Sequence, residues 1–248
     1  MQDHKKLITF LQESLENKAT QKTKMWWEKY MKGVIAFRGV GIPEIRDLIA
    51  TWLNEYSIKD LSKENQLELA LAFFQEPIAE DKLAGILYLQ YYLYDQFAWE
   101  VLLKKYEALY TNNLIFDWNT CDWFCVRVLS PTIAKHGVDC AEAISSWKDT
   151  ENLWQARSSV VAFVKVASNK SYYLCIQESC HTLIQRQERF AKTSVGWVLR
   201  DISKHDEDFV KCFIESHIQW FSIESLRNAV KYWDKDEQNK YVKLLKAA

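Results

Sequence analysis

Glycine and proline are scarce in this sequence, which has only 6 and 3 of them among 248 residues. Many-stranded β architectures need glycine-rich hairpins, so this scarcity argues against them. Helical periodicity is instead readable along almost the whole chain, as roughly a dozen segments of about 10–17 residues joined by short polar links. Because no linker is long enough to separate two domains, we predict an all-α protein in which residues 1–248 form a single domain.

Long apolar segments and disulfide spacing are also missing. No stretch approaches the ~18 apolar residues of a membrane span, and the N-terminal "MQDHKKLITF" lacks the apolar core of a secretory signal. The six cysteines are scattered, which is typical of reduced thiols in a cytosol-like compartment. We therefore expect a cytoplasmic protein with no membrane partner.

The motifs of several large enzyme classes are absent. The sequence contains no GxxxxGK[ST] or GxGxxG loop for a nucleotide and no HExxH pair for zinc. Cys121 and Cys125 have helical spacing and Cys180 precedes His181, but neither pair is matched by a second one. We expect no metal and no cofactor.

Charge is unevenly distributed, although the formal net charge is only −1. Residues 18–38 hold six basic residues against Glu28, a net of +5. Residues 41–81 hold nine acids against three bases, and residues 184–204 five bases against two acids. A polarised protein can present a basic face to phosphate while its total charge stays near zero, although solvated helix faces would give the same counts.

Three segments have similar frames at a regular spacing. Asp122, Arg157 and Thr193 lie 35 and 36 residues apart, within "NTCDWFCVRVL", "LWQARSSVVAFV" and "RFAKTSVGWVL". A period near 35 with two helices per unit is typical of a stacked helical-repeat solenoid. We therefore predict a HEAT-like α-α superhelix with a concave groove, in which corresponding helix positions line up on one face.

The stretch "DWNTCD" places Trp118 one helical turn before Asp122, so ring and carboxylate share a face. The predicted repeat adds Arg157 to that face, with Trp197 one turn beyond the next equivalent position. Such a set suits a cationic or phosphodiester ligand, because indoles attract cations and arginine binds phosphate. Each residue also has a structural interpretation: Asp122 as a helix cap, the tryptophans as core, and Arg157 as a buried ion-pair partner.

Over residues from about 5 to 225 the chain resembles the HEAT-like-repeat DNA alkylation repair glycosylases. The segments that carry the resemblance are "YMKGVIAFRGVGIPEIR", "DWNTCD", "NLWQARSSVVAF" and "AKTSVGWVLRDISK". By this resemblance the family's catalytic aromatic and acid fall on Trp118 and Asp122. Its groove arginine falls on Arg157, and its second aromatic on Trp197.

The resemblance implies release of cationic alkylated purines, such as 3-methyladenine and 7-methylguanine, from double-stranded DNA without deep base flipping. It also implies a DNA contact at Tyr30, and the basic segment predicts phosphate contacts nearby at Lys22, Lys24 and Lys29. A monomer associated with the nucleoid is the expected state.

Three alternatives stay open at this point. A competing register would place Trp123 at the aromatic position and Arg127 at the acid, which would abolish catalysis. The fold would also suit a non-catalytic protein that binds damaged or branched DNA, or a plain protein-interaction solenoid. Steep salt dependence of binding separates the DNA-binding functions from the last of these.

Overall fold

The computed structural model describes residues 4–247, and all regular structure in them is helical. The helices are α1 (His4–Lys18), α2 (Gln21–Met31), α3 (Ile42–Glu55), α4 (Lys63–Ala72), α5 (Ala79–Tyr88), α6 (Trp99–Thr111), α7 (Trp118–Phe124), α8 (Ser130–His136), α9 (Val138–Ser145), α10 (Leu153–Val161), α11 (Tyr173–Gln185), α12 (Arg189–Ile202), α13 (Glu207–His217), α14 (Ile223–Ala229) and α15 (Lys235–Ala247). The predicted all-α class is confirmed. The predicted lengths are too long for five helices of 7 to 9 residues: α7, α8, α9, α10 and α14.

Local signals in the sequence set many of the helix starts. Polar residues cap seven helices by accepting a backbone N–H one turn on: Thr20, Ser62, Asp117, Asn152, Asp206, Ser222 and Asp234. Pro43 lies in the first turn of α3, where a missing N–H breaks no hydrogen bond. These caps satisfy donors that a helix leaves unpaired, which is why so many short helices are stable side by side.

By its internal contacts the chain divides into two compact units, Met1–Val128 and Leu129–Ala248. The boundary falls inside a π-helical turn, Cys125–Leu129, and not in a linker. Each unit has its own core, formed in the first by rings such as Trp52, Phe73 and Tyr88. In the second unit, aliphatic side chains such as Ile144 and Leu199 are fully buried. The single-domain organisation stays a prediction.

The second unit shows the repeat period directly in its contacts. Side chains 36 residues apart meet at Trp154–Phe190, with ring centroids 5.2 Å apart, and at Tyr173–Phe209, with centroids 4.7 Å apart. The ion pair Lys170–Asp206 has the same spacing. Corresponding positions of successive helical units therefore pack together here, as the period in the sequence predicted.

No helix in residues 4–247 is long and apolar enough to cross a membrane. All six cysteines are free thiols, as expected, and five of them are buried.

Candidate nucleic-acid interface

The loop "FRGVG" fixes the position of α2 in the first unit. Gly39 has φ +102° and lies so close to α2 that a Cβ atom there would stand 2.7 Å from the backbone nitrogen of Lys24. Its carbonyl accepts the N–H of the cap residue Thr20 at 2.9 Å. Only glycine allows both the conformation and this close approach, so the start of α2 is held against the loop.

The buried carboxylate of Glu80, at the start of α5, holds the loop from the other side. It accepts the backbone N–H groups of Arg38 at 3.0 Å, Gly39 at 2.7 Å and Val40 at 3.1 Å. Glu80 has no solvent exposure, so these bonds replace the water that its charge would otherwise need. The hydrogen bonds between the loop and Glu80 therefore help to fix the position of α2.

The next two residues after Glu80 are also charged and buried in the first unit. Asp81 pairs with Arg38 Nη1 at 2.9 Å, and burial raises the pKa of this carboxyl to about 6 against the lowering effect of Arg38. Lys82 donates to the carbonyls of Phe74 and Leu114, and burial lowers its pKa. Charges buried in this way are tolerated because each one has a partner.

Three side chains of α2 form the exposed patch that we call the α2 aromatic surface: Met25, Trp26 and Tyr30. They are 61%, 57% and 51% exposed, although all three are large and apolar. Trp26 stacks on Tyr30, with ring centroids 5.3 Å apart and planes at 17°. Only Met31 of this helix is buried, so three of the five large apolar or aromatic side chains of α2 are more than half exposed.

Trp118 joins the α2 aromatic surface to α7. Its ring meets Tyr30 edge-on, with centroids 5.0 Å apart. It also packs against the buried cluster of Met31, Ile35, Phe37 and Ala79. The half-buried indole is thus part of the core on one side and in contact with the exposed Tyr30 on the other.

Asp122 lies inside α7, one turn after Trp118, and is partly exposed. The helix cap is Asp117, whose carboxylate accepts the N–H of Thr120 at 2.9 Å and its hydroxyl at 2.7 Å. Burial raises the pKa of Asp117. The interpretation of Asp122 as the cap is therefore wrong, since the acid five residues earlier has that role.

The residues of the competing register, Trp123 and Arg127, contact each other. The guanidinium of Arg127 lies over the Trp123 ring, 4.9 Å from its centroid. Trp197 also has a cation over its ring, so this contact does not decide between the registers. The register that begins at Trp118 stays a prediction.

The three predicted phosphate-binding lysines all lie on α2. Lys22 and Lys29 are exposed and form no ion pair within residues 4–247, whereas Lys24 lies 3.9 Å from Glu28. Lys22, Trp26 and Tyr30 follow one another at four-residue spacing, so cation and rings share a helix face. The structure thus brings Tyr30, Trp118 and these lysines into one region of the first unit.

Arg157 and Trp197 lie in the second unit, on α10 and α12, which pack against each other. Arg157 is 4% exposed, and its Nη1 donates to the Phe190 carbonyl at 2.6 Å and to the Thr193 hydroxyl at 3.3 Å. Trp197 is half-buried, and the guanidinium of Arg200 lies 5.8 Å from its ring centroid. A groove shared by these residues with Trp118 and Asp122 stays a prediction.

A family of proteins described as DNA alkylation repair enzymes matches residues 11–233 of this sequence. The chain belongs to this family. The match includes every residue proposed above for the site, from Lys22 to Trp197. No curated protein matches the chain significantly.

A solved structure of a predicted DNA alkylation repair enzyme from Enterococcus faecalis has the same fold as this member of the family. The two agree with a TM-score of 0.75 at 20% identity, over 88% of this chain and 98% of the other. At this identity the likeness establishes the fold alone. It nonetheless confirms the helical architecture that the sequence predicted.

Two features of this family member were missed by sequence reasoning. Trp26 was not singled out, although its position between Lys22 and Tyr30 at helical spacing was a usable signal. Glu80 carried no signal, because "AEDK" at the start of a helix is ordinarily a solvated first turn. In residues 4–247 no three histidine, cysteine or acidic side chains are grouped so that they could hold a metal ion.

Proposed function

We propose that this DNA alkylation repair protein is a glycosylase that hydrolyses the N-glycosidic bond of cationic alkylated purines in double-stranded DNA. The observation that carries the proposal is the contact between Trp118, one turn before Asp122 on α7, and Tyr30 on the exposed, lysine-bearing α2. Membership of the family supports DNA as the substrate.

The chemistry requires little from the protein, because the alkylated base is already charged. When the C1′–N bond breaks, its electron pair neutralises the purine ring, so no general acid is needed. The sugar develops oxocarbenium character, as in other glycoside hydrolyses, and water then adds to C1′ and loses a proton. A carboxylate beside C1′ stabilises that cation and orients the water, and we assign this role to Asp122.

The remaining residues position the nucleotide. Trp118 and Trp197 would contact the deoxyribose, where indole faces also stabilise positive charge. Arg157, which the family resemblance places in the groove, would bind a phosphate through its guanidinium. Its anchored position favours a fixed phosphate geometry, because less side-chain freedom is lost on binding.

Asp122→Asn tests the assignment. We expect release of 3-methyladenine and 7-methylguanine from methylated duplex DNA by the wild type, and a fall of roughly 10²–10³-fold in the variant, typical for removal of one electrostatic stabiliser. DNA affinity should change little. Purines released in single-turnover reactions, separated by chromatography, give the measurement.

The matched control is Asp47→Asn, which removes the same charge from an exposed position on α3. It should leave release unchanged. Binding of methylated DNA by a folded wild type that releases no purine would instead establish the non-catalytic alternative, in which the basic, aromatic α2 only binds damaged DNA.

A further inference from the structure

Trp26 is the part of the α2 aromatic surface that the proposed function leaves without a role. Its indole is 57% exposed and belongs to no core cluster, whereas its neighbour Trp27 stacks on Phe37 with centroids 5.2 Å apart and planes at 4°. The two adjacent tryptophans therefore differ: Trp27 packs α2 onto the unit, and Trp26 faces solvent. Exposed large apolar patches mark interaction surfaces more often than chance.

The rings beside Trp26 hold it in a defined orientation. Tyr30 lies parallel to it at 5.3 Å, and Trp27 meets it edge-on at 4.8 Å. Because Tyr30 in turn contacts Trp118, the three rings form one connected series from α2 to α7. A flat ring fixed in this way loses little side-chain freedom when a second flat ring stacks on it.

The charge around Trp26 identifies the chemistry of its partner. Lys22 precedes it by one helical turn and Lys29 follows it by three residues, and neither lysine forms an ion pair within the described part of the chain. An apolar protein surface would gain nothing from these cations. A nucleobase that carries its own phosphate satisfies both the ring and the lysines.

We propose that Trp26, backed by Tyr30, is a stacking site for a nucleobase of DNA that has lost its pairing partner. The inference rests on the proposed function only in taking DNA as the ligand. A paired base is buried in its own stack and cannot cover the indole, whereas an unpaired base can. The site therefore gives the protein a preference for duplexes that contain an unpaired nucleotide, independently of any bond cleavage.

The test uses two undamaged duplexes of equal length, one fully paired and one with a single unpaired 2-aminopurine, whose emission is quenched by stacking. We expect the wild type to bind the second duplex about tenfold more tightly and to quench the probe. Trp26→Ala should lose both the preference and the quenching, while Trp26→Phe, which retains a flat ring, should keep most of both. Tyr91→Ala, which removes an exposed ring from another part of the same unit, is the control and should behave as the wild type.

Each outcome separates the two proposals. Unchanged quenching in Trp26→Ala, or an equal loss of affinity for both duplexes, overturns the stacking site but leaves the glycosylase intact. If the wild type binds both duplexes without quenching the probe, the stacking site is again overturned and the glycosylase is left intact. The α2 aromatic surface would then be assigned to a protein partner. A folded wild type that binds neither duplex at low salt contradicts both proposals.

Discussion

The two units treat their aromatic and cationic side chains in opposite ways. On α2 of the first unit, Trp26 and Tyr30 are more than half exposed, and Lys22 has no acidic partner in the described residues. On α10 and α12 of the second unit, Arg157 bonds to backbone and Trp154 packs on Phe190. One region presents its cations and rings to solvent, and the other uses them to join successive repeats. The same residue types are thus exposed in one place and packed in the other.

The largest expected effect is on how the unfolding free energy depends on pH. It tests the burial of Asp81, beside the carboxylate that holds the loop against α2. The pKa of Asp81 is raised from 3.8 to about 6 by burial. Since the folded state binds this proton more tightly, its contribution to stability is fully present below about pH 3.8 and is lost as the pH rises through about 6. The difference corresponds to about 3 kcal/mol of unfolding free energy.

Urea unfolding of the wild type and Asp81→Asn at pH values from about 3.5 to 7 measures this effect. The asparagine cannot ionise, so the wild type should lose stability relative to the variant as the pH rises. Parallel pH profiles would show that Asp81 has an ordinary pKa and that the interior of the first unit is more hydrated than its burial indicates.

Arg157→Ala should have the next largest effect, on the stability of the second unit. The Phe190 carbonyl would lose this part-buried hydrogen bond and keep the longer one from the Thr193 hydroxyl, and we expect a loss of about 1–3 kcal/mol in unfolding free energy. Lys165→Ala, at an exposed position of the same unit, is the control. Equal stabilities of the two variants would mean that Arg157 is not structural, and the contrast between the units would disappear.

Charge reversal on α2 should give the smallest energetic effect and leave stability intact. The double variant Lys22→Glu, Lys24→Glu should bind duplex DNA about tenfold more weakly at low salt. For this variant the slope of log K against log salt concentration should be shallower by roughly 0.9 for each phosphate that the protein no longer neutralises. Affinities measured over a salt series, with urea unfolding alongside, test both statements.

Lys104→Glu, Lys105→Glu makes the same charge change on α6 and serves as the control. If it weakens binding as much as the α2 variant does, overall charge governs affinity and α2 does not bind the DNA backbone. If neither variant changes affinity at low salt, the predicted phosphate contacts on α2 are wrong.

The sequence by itself determined the features that depend on neighbours along the chain. Scarce glycine and proline, helical spacing and polar caps are local, so they predicted the all-α class and the residues that share a face, such as Trp118 with Asp122. The 36-residue period also survives in the sequence, because each repeat packs on the next in the same way.

Only the tertiary structure decided which of these side chains are exposed and which are buried. The spacing of Trp26 from Lys22 and Tyr30 is a local signal, but nothing local marks Glu80 as buried or Arg157 as bonded to α12. Burial depends on what distant segments cover, and the cost of a buried charge is met by partners far along the chain, as with Glu80 and the N–H groups of residues 38–40. Helix formation is local and desolvation is not, which is why the sequence predicts the helices and the family's site positions but not the surface that α2 presents.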